Sequence, residues 1–316
     1  LKVIPAESEM SVEAFFQLLF VPFLLFYCQA ERGPGYRAVV YPTLFEGRDE
    51  STKVLKINDQ ITLNLRPSSI LHDDFFVRKY RGGVPEYKYF NVESLQQGLY
   101  HDAKALAAVT VSEEDGTLRV EGVVGPKLKI RPVEASERSV YGEKAHIVDT
   151  IEDSNTDGVY GKIYEDRTTI SERDTNGRVG YDSSKFGVES IYPEVLITCD
   201  SVFFAGFKNK YDMIKYMLIV FQVVILRYST VNHPRIRPVL RGVEISDKKQ
   251  EDMYYNYLGN GIDAIPSLYN ITDYVKSRRS YYEDYDLIYF LTGFDMIVPG
   301  DYGWDRSYRG FAFVGS

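Results

Sequence analysis

A chain of 316 residues, 44% hydrophobic and 26% charged, is ordinary globular material with length for about two domains and a sizeable core. A net charge of −8 at pH 7 argues against nucleic acid or an anionic membrane surface as the principal partner. Tyrosine is the unusual component, 26 residues against one tryptophan, and clusters such as "MYYNY" and "RRSYYEDYDLIYF" read as amphipathic packing surfaces.

The first element begins at Met10. "MSVEAFFQLLFVPFLLFYCQA" holds an apolar stretch from Ala14 to Cys28, then small Ala30 before the polar "ERGPG". That is the pattern of a secretory signal over 10–30, cleaved after Ala30, with Glu13 standing where a positive charge is usual. The stretch falls short of the ~20 residues of a spanning helix, so no membrane partner remains after cleavage. Residues 1–9 read as an upstream extension. Of the two cysteines, Cys28 leaves with the signal, and Cys199, in the apolar run "EVLITCDSVFF", reads as a buried small hydrophobe.

From residue 38 to about 132, short strands alternate with turns. "AVVYPTLF", "KVLKINDQITLNL", "FFVRKY", "ALAAVTVS" and "LRVEGVVG" are rich in β-branched and aromatic residues. Hairpins are expected about Asn58-Asp59 and Asp115-Gly116, and "ESLQQGLYHDAKAL" is the one short helix. Residues 31–149 thus form a β-rich domain. Residues 150–190 turn polar and rich in Gly, Ser, Asp and Asn, the composition of a linker.

A second domain spans 191–316. "EVLITCDSVFF" predicts a strand, and "KYDMIKYMLIVFQVVILRY" a helix of about five turns buried against a sheet. His233-Pro234 breaks the pattern, "RIRPVLRGVEI" resumes as a strand, "SLYNITDYVKSRRSYYEDY" is helical and "DLIYFLTGF" is a further strand. That alternation predicts a layered domain with a largely parallel sheet. "RGFAFVGS" at 309–316 reads as one more strand.

His72, His101, His146 and His233 are scattered, none with the i, i+4 mate that lets two imidazoles meet one zinc, so each reads as a surface or packing residue. No HExxH, GxSxG, phosphate-binding loop or dinucleotide fingerprint occurs. Asn270-Ile271-Thr272 is a glycosylation acceptor sequence, relevant because the chain reads as secreted.

Residues 38–132 resemble the prodomain of secreted reprolysin-like (adamalysin-type) metzincin metalloproteases, through "VVYPTLFEGRDESTKVLKINDQITLNL", "GLYHDAKALAAVTVSEEDGTLRVEGVVGP" and "LKIRPV", followed by "HIVDTIE". The second domain resembles the front half of the catalytic domain of tick salivary metalloproteases. The strings are "PEVLITCDSVFF", "LIVFQVVILRYSTVNHPRIRPVLRGVEI", "DLIYFLTGFDM" and "GFAFVGS". The resemblance implies an α+β chain overall: a β-rich prodomain, then an incomplete α/β three-layer metzincin domain with a mixed, mostly parallel sheet. It implies a secreted, zinc-dependent metalloendopeptidase proenzyme acting on extracellular proteins, with the prodomain against its own catalytic domain.

The family's HExxHxxGxxH helix would follow residue 316, so zinc ligands, general base and catalytic residues are expected downstream and none is assigned in this chain. By the same resemblance Glu194 and Asp286 match positions that ligate a structural calcium in some relatives, which requires several further oxygens. After signal removal the prodomain has no cysteine, so a thiolate cannot silence zinc in cis. Steric cover or a folding role is expected instead. Maturation would cut 150–190 at Arg167, Arg173, Arg178 or Lys185; the dibasic Arg278-Arg279 lies inside a helical stretch. The competing reading is a secreted, catalytically inert protease-like binding protein; a lipocalin-type barrel fits the strand–helix order poorly. Expressed alone, 191–316 is expected to aggregate through an unpaired sheet edge, whereas 31–150 is expected to fold by itself.

Overall fold

Asn58 shows how the first turns are made. Its Oδ1 accepts from the N–H groups of Gln60 and Ile61, both at 2.8 Å, folding "KVLKINDQITLNL" back on itself as anticipated. In the computed structural model, which describes residues 36–49, 51–114, 116–133, 143–151, 159–164, 189–300, 303–306 and 308–314, the strand-rich half opens with β1 (Arg37–Val40), β2 (Thr43–Glu46), β3 (Lys53–Lys56) and β4 (Thr62–Pro67). A long hairpin follows, β5 (Leu71–Arg81) and β6 (Val84–Tyr89), then α1 (Val92–Gln96). The half closes with β7 (Leu99–Asp102), β8 (Ala107–Glu114), β9 (Thr117–Gly125), β10 (Leu128–Pro132) and β11 (His146–Thr150).

β1–β4 and β7–β11 make one nine-stranded antiparallel sheet. Its two faces serve two cores. In β8, Ala107 and Val109 join Leu55, Leu63, Leu65, Val120 and Val148 on one side, while Ala108 points to the other. β8 and β9 pair across the Asp115-Gly116 turn, where Gly116 sits at φ +70° and Asp115 lies outside the described residues. The helix expected in "ESLQQGLYHDAKAL" is shorter than anticipated. Its helical part stops at Gln96, because Gly98 takes φ +84° with Val111 O so close (2.5 Å from any Cβ) that the chain must turn into β7.

The second half runs β12 (Val159–Tyr164), β13 (Ser190–Ile191), β14 (Glu194–Cys199), α2 (Ser201–Ala205), α3 (Lys210–Tyr228), β15 (Arg235–Ile236) and β16 (Val239–Ile245). It continues through α4 (Lys248–Tyr254), β17 (Tyr257–Leu258), β18 (Gly261–Asp263), α5 (Ala264–Ser277), α6 (Arg279–Tyr282), β19 (Leu287–Leu291), β20 (Asp295–Gly300), β21 (Gly303–Asp305) and β22 (Tyr308–Val314). α3 and the strands β14, β16 and β19 fall where the apolar periodicity placed them, and "RGFAFVGS" supplies most of β22. The 150–190 stretch is not wholly without structure: β12 lies inside it and pairs in parallel with β22, while most of the remainder lies outside the described residues, as do 10–30 and Cys28.

The main departure from the sequence reading is the destination of "FFVRKY". β4 and β7 are neighbours in the nine-stranded sheet, so residues 68–98 leave it and return. The excursion carries β5 to β16, giving a five-stranded sheet in the order β19-β14-β16-β5-β6, parallel but for β6. The two halves of the chain therefore share one sheet. α3 lies between that sheet and β7–β9 of the nine-stranded one, with Met213, Ile214, Met217, Leu218 and Phe221 buried. A helix covered on two sides is apolar nearly all round, which is how "MLIVFQVVIL" reads. The architecture is mixed α+β and strand-rich.

Candidate functional site

The residues singled out from the sequence do not gather into one centre. Glu194 opens β14 with its Oε2 2.7 Å from Arg241 Nη1, and that guanidine nitrogen is also 3.0 Å from His72 Nε2. Asp286 precedes β19, and its Oδ2 accepts the Glu194 N–H at 2.7 Å. Glu194 and Asp286 are thus adjacent, with the Arg241 guanidinium paired to the Glu194 carboxylate and Asp286 holding the Glu194 backbone N–H. Asn270 is exposed on α5, as a glycan acceptor must be.

Each histidine has a local role. His146 is fully buried: its Nε2 accepts from Val120 N–H at 2.9 Å, so Nδ1 carries the proton and donates to Lys144 O at 3.0 Å. Burial lowers its pKa. His101 Nδ1 lies 2.8 Å from Ser68 Oγ, and burial, with Arg66 nearby, lowers its pKa too. His233 is exposed. Among the described residues no group of three or more His, Cys, Asp or Glu side chains could hold a metal ion, so they do not fit a catalytic zinc. Cys199 is a free, fully buried thiol with Sγ 3.7 Å from Met213 Sδ, and burial pushes its pKa up.

The densest chemistry lies where β5 meets β16. The parallel register sets Arg78 opposite Glu244 and Phe76 opposite Gly242. Both charged side chains are fully buried. Arg78 Nε donates to Glu244 Oε2 at 2.5 Å, and Nη1 donates to Tyr87 Oη at 3.0 Å and Tyr281 O at 3.1 Å. Glu244 also accepts from Tyr80 Oη at 2.9 Å and Tyr282 Oη at 2.8 Å. Burial is the largest influence on Arg78 and opposes its charge, but Glu244, Tyr80, Tyr87 and Tyr282 together outweigh it and the pKa rises. Burial raises the pKa of Tyr80 and Tyr282, so both remain hydroxyl donors. The cluster can hold charge and fix register. It offers no open position for a reacting group.

A second buried carboxylate ties strand ends together. Asp200, at the carboxyl end of β14, caps α2 through Phe203 N–H at 2.7 Å, accepts Gly293 N–H at 3.1 Å and takes Tyr255 Oη at 3.2 Å. Gly293 approaches so closely that a Cβ would lie 2.5 Å from Phe203 N. Glu251 of α4 accepts Ser201 N–H at 2.7 Å beside it. The tyrosines expected to pack do so: Tyr254 meets Tyr255, Tyr274 and Phe290 edge-on at 4.6, 5.1 and 5.5 Å. Among the described residues no helix is long and apolar enough to cross a membrane.

The seam was not foreseen, yet a signal for it exists. "FFVRKY" and "RGVEI" each set charged residues beside apolar ones that read as buried strand, Arg78 and Lys79 in the first and Arg241 and Glu244 in the second, so opposite charges are available to pair across two strands.

No family model matches the chain. It is similar to the venom metalloproteinase antarease of Tityus serrulatus, 26% identical over 281 residues, which span 85% of this chain and 66% of that protein. A venom metalloproteinase of Olivierus martensii is 34% identical over 123 residues, 38% of this chain and 31% of that one. Venom metalloproteinase 3 of Eulophus pennicornis is 23% identical over 211 residues, 63% of this chain and 48% of that one. The chain spans between about a third and two thirds of the length of these relatives. At modest identity, this similarity to venom metalloproteinases supports a metalloprotease family for the chain.

Proposed function

We propose that this chain is the N-terminal portion of a secreted zinc metalloendopeptidase precursor of the reprolysin-like, tick salivary kind, hydrolysing peptide bonds of extracellular proteins. One observation carries the reading. Similarity to a venom metalloproteinase runs over 281 residues, 85% of the chain, and so takes in material from both halves. In this reading 10–30 is a secretory signal, 31–149 a prodomain and 191–316 the first part of the catalytic domain, with maturation by cleavage in 150–190.

Zinc, held by residues following Ser316, would supply a bound water of lowered pKa. The described residues form no zinc set, so their part is scaffolding. β14, β16 and β19 make the sheet, α3 and α4–α6 cover it, and Asp200 fixes the carboxyl ends of β14 and β19.

The test is to sequence the transcript past Ser316, express the encoded protein and assay a quenched fluorescent peptide. The reading expects an in-frame HExxHxxGxxH and hydrolysis that phenanthroline abolishes and added zinc restores. An in-frame stop, or a triad lacking a histidine, would leave a secreted protease-like chain that acts by binding.

A further inference from the structure

We propose that the edge of β16 is a strand-acceptor site selective for an extended segment carrying an arginine. It is filled here by the chain's own β5, and the contact holds without the covalent link between the halves. β16 is paired on one side with β14, which leaves its other edge to be satisfied from elsewhere. The occupant comes from another sheet altogether, by the 68–98 excursion.

Two positions on β16 read the incoming strand. Glu244 is a fully buried carboxylate with three donors, and β5 brings two of them, Arg78 and Tyr80. Without that strand only Tyr282 remains, and a buried carboxylate stripped of its cation is strongly unfavourable. Lysine would not replace the arginine. One planar fork reaches Glu244, Tyr87 and Tyr281 O together and stacks 5.0 Å from the Tyr282 ring centroid, which a single ammonium cannot do. Two residues earlier, Gly242 leaves room for an aromatic ring: a Cβ there would lie 2.6 Å from Phe76 Cζ. The recognised pattern is therefore aromatic–x–Arg–x–Tyr, read in parallel register. Packing of α3 against β7–β9 adds apolar contact to the same seam.

The inference stands apart from the protease reading, because its test measures association and needs no peptidase activity. A site-specific protease sequence is placed between residues 152 and 158 of the full chain, so that β12 stays with its partner β22, and cut to completion, and the fragments are run on size-exclusion chromatography. Co-elution at the uncut volume is expected. Separate elution, or loss of the C-terminal fragment from solution, overturns the proposal. In the same cut chain, Arg78→Gln and Arg78→Lys are expected to speed dissociation at least about tenfold, and wild-type rates would remove Arg78 from its role. If neither variant folds before cutting, a peptide of residues 70–90 settles the point on wild-type protein. Present in excess while the cut chain is partly unfolded and refolded, it is expected on the C-terminal fragment by native mass spectrometry, and its Arg78→Gln version is not. Equal retention of the two peptides, or retention of neither, overturns the arginine selectivity.

Discussion

Gly242→Ala is the smallest change that loads the seam between the two halves. The backbone there is not in the left-handed region, so the methyl group itself is the whole perturbation. It would lie 2.6, 2.8 and 2.9 Å from three ring carbons of Phe76. Ordinary carbon contact is about 3.5–4.0 Å, so the ring must retreat by about 1 Å. Phe76 is 5% exposed and set 5.1 Å from the Tyr87 ring and 6.0 Å from Tyr89, which leaves little space behind it. Overpacking of this kind costs about 1–3 kcal/mol, offset in part by the ~0.5–1 kcal/mol that Ala gains over Gly in a strand. A net loss of about 1–2 kcal/mol corresponds to a fall in Tm of roughly 2–8 °C. The assay is a double-mutant cycle with Phe76→Leu, read by thermal and urea unfolding with two probes. Phe76→Leu should make Gly242→Ala nearly neutral, a coupling of about 1 kcal/mol or more. Additivity within about 0.5 kcal/mol would refute the contact and with it the register of β5 on β16.

Three further outcomes are expected. His146 is held neutral by burial, so its folded pKa lies below the unfolded value of about 6.5. The stability it contributes is complete above that pH and lost as pH falls through the folded value; His146→Gln should flatten the acid limb of Tm against pH, and an unchanged limb would place the loss elsewhere. Cys199, buried with a raised pKa, should not react with a thiol reagent in the folded chain carrying Cys28→Ser, and should react fully in denaturant; rapid native labelling would contradict its burial. Arg241 already meets the Glu194 carboxylate, so millimolar calcium should leave the Tm of this chain unchanged; a clear rise would show that the ion competes successfully with the guanidinium.

Most elements could be read from the sequence because local chemistry specifies them. α3 was legible from its apolar run, and the structure adds its start at Asn209, whose side chain accepts from Tyr211 and Asp212 N–H at 2.8 and 3.2 Å. Asn58 and Gly116 marked their turns for similar reasons. The shortened α1 was missed because the competing force is tertiary: Gly98 must admit Val111 O, and nothing in "QQGLY" announces that neighbour. Of the candidate site, the histidines and Cys199 were legible as packing residues. The partner of Glu194 was not, since Arg241 lies 47 residues away on another strand.

The membership of β5 was the larger omission, and it changes what the halves can do alone. Strand propensity is a local property, but which sheet a strand joins is decided by partners far along the chain, here 166 residues from Arg78 to Glu244. The sequence reading allowed 31–150 to fold by itself and left the exposed edge to 191–316 alone. The shared sheet divides the burden between them. Without the second half, the 68–98 excursion carries Phe75, Phe76, Val77 and Arg78, all buried here, with no strand to receive them. Without the first, β16 keeps an open edge and a carboxylate short of two donors, and the face of α3 turned to β7–β9 is bare. The nine-stranded sheet has its own core and retains it without the second half. What each half lacks is the hairpin's place, so ordering of 68–98 and of β16 is a single event that needs both.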